Sequence, residues 1–154
     1  FPVCDAVLSG YMGDAAIGEA ILDAVAQVKA ANPAALWCCD PVIGDVGRGV
    51  FVRPGIPEFL RDRALPAADI ATPNRFELEW LTGRAVTDLP SAKAAIAALQ
   101  ARGPRCVLLT SLEAGGAPGE IGMMAAEGGR FHHLTTPMLP LSVNGAGDAI
   151  AALF

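Results

Sequence analysis

The chain has 154 residues, 53% of them hydrophobic and 18% charged, with a formal net charge of −5. That length and composition suit one globular domain with a buried core, and the acidic balance argues against a nucleic-acid binder, whose basic face must neutralise backbone phosphates. No apolar run reaches the roughly 18 to 20 uninterrupted residues of a membrane span, and the N-terminus lacks the basic region of a signal peptide, so a soluble chain with no membrane partner is expected.

Along the chain, short apolar runs alternate with helical patterns. DAVLSG (5–10) reads as a strand. From Asp14 to about Ala31, Ile17, Ile21, Leu22, Val25 and Val28 recur at helical spacing, with Asp14 placed to cap the start and Asn32-Pro33 to stop it. ALWCCD (35–40) is apolar throughout, as expected for a strand covered on both faces. A Gly-rich loop (44–49) follows, then a helix over PEFLRDRAL (57–65), with Pro57 suited to a first turn. ADIAT (68–72) predicts a strand, NRFELEWL (74–81) a short helix ended by Gly83, and Ser91 to Arg102 an Ala-rich helix ended by Gly103. RCVLLT (105–110) is the next strand. After the loop EAGGAPGE (113–120), IGMMAA (121–126) and RFHHLTT (130–136) face each other across a Glu-Gly-Gly turn, the connection of a hairpin. The chain closes on LSVNGAGDAIAALF (141–154), a loop followed by an apolar helix.

This order predicts an α/β fold: a mostly parallel central sheet flanked by helices through right-handed crossovers, with an antiparallel β-hairpin at one edge, in a single domain over 1–154. Cys4, Cys38, Cys39 and Cys106 form no C-x-x-C pair and lie in or beside apolar strands, where a reduced cysteine acts as a small hydrophobe, so a reducing cytoplasm is expected. His132 and His133 are strand neighbours whose side chains point to opposite faces, which excludes a shared metal ion. Met123 and Met124 divide in the same way between core and surface.

In open α/β sheets ligands bind beyond the carboxyl ends of the strands. The segments there are Gly10-Tyr11-Met12-Gly13, then Asp40-Pro41-Val42 with Asp45, then Thr72-Pro73-Asn74 with Glu77, then Thr110-Ser111, and finally Asn144-Gly145-Ala146-Gly147-Asp148. Gly145 to Asp148 open a helix, whose unpaired N–H groups and positive dipole end attract anions. The two glycines admit a phosphate closely, and Asp148 can take a proton from an attacking hydroxyl. The plainer alternative is a tight turn with a favourable first-turn charge. Asp40, Asp45 and Glu77 suit a magnesium ion shared with nucleotide phosphates, which takes one or two carboxylates and keeps waters. Equally, Asp40 could end its strand, Glu77 could lie on a solvated helix face, and Asn74 could serve only as an N-cap. Tyr11 offers a ring for a planar substrate to stack on, or anchors its loop.

With LSGYMG (8–13), DPVIGD (40–45), TPNRFELEWLTG (72–83), LLTS (108–111) and NGAGD (144–148) in this order, the sequence resembles the ribokinase-like superfamily and, within it, the pyridoxal kinases. The Gly-Tyr loop is the most discriminating piece. Hydroxymethylpyrimidine kinases share the Asp-Pro-Val and Thr-Pro-Asn-x-x-Glu motifs but usually carry Cys in place of Asp148. The resemblance implies transfer of the γ-phosphate of MgATP to the 5′-hydroxyl of pyridoxal or a related vitamer. By it, Asp148 is the catalytic base and also touches the substrate, Gly145, Ala146 and Gly147 form the phosphate cradle, and Tyr11 lies against the pyridine ring. Asp40, Asp45, Asn74, Glu77, Thr110, Ser111 and Asn144 line the ATP site, with Asp40 and Glu77 on the magnesium ion. It further implies a homodimer in the full-length protein. Family members carry N-terminal strands, lid strands and a C-terminal continuation that have no counterpart here, so the chain is expected to be the middle and late part of a kinase. Two other readings are another ribokinase-like small-molecule kinase and a non-catalytic nucleotide- or vitamer-binding module.

Overall fold

The structure, a computed structural model, describes residues 4–140 and 145–154. In chain order the elements are β1 (Ala6–Ser9), α1 (Ala15–Ala31), β2 (Leu36–Cys39), the short strands β3 (Gly44–Asp45) and β4 (Gly49–Val50), and α2 (Ile56–Phe59). A π turn over Leu60–Ala64 leads into α3 (Leu65–Ala67). Then come β5 (Ile70–Ala71), α4 (Arg75–Thr82), α5 (Leu89–Gln100), β6 (Cys106–Leu112), β7 (Glu120–Glu127), β8 (Arg130–Pro137) and α6 (Ala146–Leu153). The main sheet has six strands in the order β1-β2-β5-β6-β7-β8. Its first four strands run parallel, and β7 and β8 join antiparallel at one edge. The expected α/β fold with a hairpin edge is met.

Local chemistry sets most boundaries. Asp14 accepts from the Ile17 N–H at 2.9 Å and starts α1, while Gly83, left-handed at φ 69°, ends α4. Helix α5 begins at Leu89, two residues before the expected Ser91, because Asp88 and Ser91 form a reciprocal capping box and Pro90 fits the first turn. It ends at Gln100, so Gly103 lies outside it. Before Pro66, which has no N–H to give, the Leu65 N–H reaches back to the Leu60 carbonyl and the helix widens into a π turn. The Gly-rich loop (44–49) is itself a small antiparallel hairpin, too short to show strand periodicity.

One hydrophobic cluster joins α1 through α5 to a single face of the sheet, the face carrying Trp37, Cys39, Ala71, Val107, Leu109 and Met124. Trp37 is fixed there by its indole N–H donating to Ser9 Oγ at 2.9 Å. Its backbone N–H donates to Asp69 at 2.8 Å, and Asp69 also pairs with Lys29 of α1 at 2.6 Å, tying the helix to the sheet. The opposite face carries Leu8, Cys38, Ile70 and Leu134, and α6 reaches it, its Ile150 and Leu153 lining one cavity with Leu108 and Met123. Strand β2 is thus not covered on both faces as its composition predicts: Leu36 and Cys38 are half-buried. Burial pushes the Cys38 thiol up to about 11 and that of Cys39 to about 12, so both stay protonated hydrophobes. No helix among the described residues is long and apolar enough to cross a membrane.

Candidate active site

A cleft of about 350 Å³ opens beyond the carboxyl ends of β2, β5 and β6 and is closed on one side by the start of α6. Asp40, Asp45, Asn74, Glu77, Thr110, Ser111 and Gly145 to Asp148 all line it. Three strand-end segments and the start of α6, far apart in sequence, therefore meet at one place, as the parallel order of β2, β5 and β6 allows.

Asp40 leaves β2 almost fully buried at 8% exposure. Its Oδ1 accepts from the Thr72 hydroxyl at 3.0 Å. Burial pushes its carboxyl up to about 6; the Thr72 hydroxyl opposes that shift, and the nearby Asp148 charge adds to it. Two acids from different elements thus line one cleft, a repulsion that a cation bound there would relieve.

Asn74 and Glu77 form a closed local network. Asn74 Oδ1 accepts from the Glu77 N–H at 2.9 Å, and Glu77 Oε2 accepts from the Asn74 N–H at 2.8 Å, a reciprocal capping box on α4. Glu77 Oε1 takes the Ile43 N–H at 3.0 Å and the Gly44 N–H at 3.5 Å, while Asn74 Nδ2 donates to the Gly44 carbonyl at 2.8 Å. Burial pushes Glu77 up to about 7 although the backbone N–H groups of Asn74, Ile43 and Gly44 pull the other way; the Asp40 charge pushes it further up. Glu77 is 4% exposed and does not lie on a solvated helix face.

The start of α6 is left open. Gly145, at φ 83° and ψ 5°, has no side chain to cap the helix, and the first helical bond is Ala149 N–H to the Gly145 carbonyl at 3.0 Å. The N–H groups of Ala146, Gly147 and Asp148 precede it and lie on the cleft. Among the described residues, a Cβ placed on Gly147 would meet no atom within 4 Å. Asp148 is exposed there, and a Cβ on Gly10 at the end of β1 would stand 4.0 Å from its Oδ1. Tyr11 follows Gly10 but is 65% exposed and is not part of the cleft wall. Asn144 lies outside the described residues.

Among the described residues no group of three or more His, Cys, Asp or Glu side chains is arranged to hold a metal by itself. Three features were not read from the sequence. Thr72 orients Asp40, a partner 32 residues away. Arg48 and Phe51 stand on the cleft wall with the guanidinium 5.1 Å from the ring centroid, and a lone cation in a Gly-rich loop facing acids was the available signal. Ser111 adopts φ 53°, which no sequence pattern announces.

A family model described as phosphomethylpyrimidine kinase matches residues 3–154. The chain is 63% identical over 158 residues to pyridoxal kinase PdxY of Granulibacter bethesdensis, covering 99% of this chain and 55% of the relative. It is 59% identical over 153 residues to pyridoxal kinase PdxY of Rubrobacter xylanophilus, covering 98% and 53%. In fold it resembles the pyridoxal kinase of Leishmania donovani solved with ADP and pyridoxamine, at a TM-score of 0.84 and 29% identity, over 96% of this chain and 52% of that one. The chain thus spans about half the length of the curated relatives it matches.

Proposed function

The chain belongs to the phosphomethylpyrimidine kinase family, and from that membership we propose that the full-length protein is an ATP-dependent kinase that phosphorylates the 5′-hydroxyl of pyridoxal. The observation that carries this reading is the uncapped start of α6, with Asp148 in its first turn, facing buried Asp40 across a cleft. The names of the relatives, and the ADP and pyridoxamine in the Leishmania structure, support the choice of nucleotide and vitamer.

In this reading Asp148 accepts the proton as the vitamer's 5′-oxygen attacks the γ-phosphorus. The bond from that phosphorus to the β–γ bridging oxygen breaks, and ADP leaves with the electron pair. The N–H groups at Gly145 to Gly147 hold the charge on the transferring oxygens, and Thr110 and Ser111 border the nucleotide with Asn74 and Asn144. Asp45, exposed on the β3–β4 hairpin, faces the phosphate end. Asp40 is the side chain that would meet a magnesium ion, and Glu77 lies behind it. When bound, that ion supplies positive charge against the phosphate oxygens. Tyr11, exposed beside Gly10, is free to close over the flat face of the vitamer ring. A homodimer and a cytoplasmic location complete the reading, the first checked by light scattering on the full-length protein.

The test is direct. Full-length protein supplied with MgATP and pyridoxal should form pyridoxal 5′-phosphate. Phosphorylation of a hydroxymethylpyrimidine with none of pyridoxal would assign a different substrate, and nucleotide binding without turnover on either would leave a binding module.

A further inference from the structure

The peptide at Gly44 is held from both sides. Its N–H and that of Ile43 point at Glu77 Oε1 at 3.5 and 3.0 Å, and its carbonyl accepts from Asn74 Nδ2 at 2.8 Å. A Cβ at this glycine would fall 2.3 Å from the Gly49 carbonyl oxygen and 2.5 Å from Phe76 Cε1, so β3 sits with no clearance between its hairpin partner β4 and the first turn of α4. The other Glu77 oxygen is taken by the Asn74 N–H at 2.8 Å. Three N–H groups therefore present their positive ends to one buried carboxylate, and a cation approaching the same oxygens would meet those dipoles. Asp40 differs: one of its oxygens takes a single hydroxyl, and the residue faces Asp148 across the cleft.

We propose that Glu77 is a positioning residue and not a metal ligand: it fixes Ile43 and Gly44, and through them the hairpin that brings Asp45 and Arg48 to the phosphate end of the cleft. The inference rests on the reading of this cleft as a magnesium–ATP site and assigns the metal contact on this wall to Asp40.

Glu77→Gln keeps the shape but has one accepting oxygen, so it must give up either the Ile43–Gly44 contact or the Asn74 contact. In ligand-free, full-length protein, hydrogen exchange over residues 43–50 should accelerate by about tenfold or more. The KM for MgATP should rise by about fivefold or more, while the Mg2+ concentration for half-maximal rate at saturating ATP moves less than about twofold. Asn74→Ala, which frees the Gly44 carbonyl and leaves the carboxylate in place, should accelerate the same segment, and it carries the test if Glu77→Gln fails to fold. Unchanged exchange in either variant, or a rise of about tenfold in the Mg2+ requirement of either, overturns the proposal. Exchange is read without substrate, so a protein that phosphorylates no vitamer sinks the kinase reading while leaving the clamp to be judged on its own.

Discussion

At the start of α4, Asn74 and Glu77 exchange backbone contacts at 2.9 and 2.8 Å and reach out to lock Ile43 and Gly44. At the start of α6, on the same cleft, Gly145 offers no side chain, and the N–H groups of the next three residues precede the first helical bond. Asp88 and Ser91 close α5 much as Asn74 closes α4. The chain can therefore cap its helices, and α6 is the one on the cleft that it leaves uncapped. Open N–H groups raise no stability of their own; their value lies in what they can bind. The α4 terminus shapes the wall, and the α6 terminus is the proposed anion site.

The largest test of that division is Asp148→Ala. As the proposed base it should lose turnover by about 10² to 10⁴-fold while nucleotide binding survives, measured by pyridoxal 5′-phosphate formation beside equilibrium binding. Turnover within a few-fold of the parent would remove Asp148 from the chemistry. Gly147→Ala separates stability from function at the same turn. The methyl group adds helix propensity worth up to about 1 kcal/mol, so Tm should hold or rise, yet turnover should fall about tenfold because the Cβ enters the open space beside Gly147, the proposed phosphate site. A variant both stable and fully active would mean that the empty space is not a phosphate site.

The two termini also differ in how their acids are housed. On the α4 side Asp40 is raised from 3.8 to about 6 and Glu77 from 4.5 to about 7, each chiefly by burial. A carboxyl with a raised folded-state value holds more protons folded than unfolded. Its stabilisation is complete below the unfolded value and is lost as pH rises through the folded one. Ligand-free protein should therefore lose several kcal/mol, at most about 6, between pH 4 and pH 8, and added Mg2+ should raise Tm more at pH 8 than at pH 5. A flat Tm across that range would mean that neither acid is desolvated as described. Away from the cleft, Asp88→Ala should cost about 1 kcal/mol through the lost cap and leave turnover unchanged. It is the control that shows what a purely structural helix start is worth.

Much of this arrangement was legible because its causes are local. Asp14 and Asn74 cap helices through bonds three residues along the chain, and Gly83 ends one by its own dihedral angle. The parallel order of β1, β2, β5 and β6 follows from helices between strands, which is why the strand-end motifs could be predicted to meet. What escaped depends on distance in sequence. Glu77 bonds to the N–H groups of Ile43 and Gly44 at separations of 34 and 33 residues. Strands of two residues have no period to detect, so the hairpin over 44–50 read as a loop. The apolar run of β2 implied cover on both faces, yet a buried strand and a half-covered one share the same composition. Tyr11 follows the end of β1, but its 65% exposure outside the cleft wall is set by the packing of its loop, which no motif encodes.

Ser111 gives the smallest and most local test. It sits where the pairing of β6 with β7 slips between Leu109 and Leu112, and its φ of 53° places a side-chain-bearing residue in the left-handed region. That conformation costs roughly 1 to 2 kcal/mol for a residue with a Cβ, and glycine avoids the cost while giving up about 0.5 to 1 kcal/mol of unfolded-state entropy. Comparing Ser111→Gly with Ser111→Ala removes the hydroxyl from both and leaves the backbone as the difference. The glycine variant should be the more stable by up to about 1 kcal/mol in denaturant titration. Equal stability would mean that the slip in β6 holds the turn without strain. The predicted difference would instead mark a second point on the cleft wall, besides the open α6 terminus, where the chain keeps a less stable arrangement than it could have.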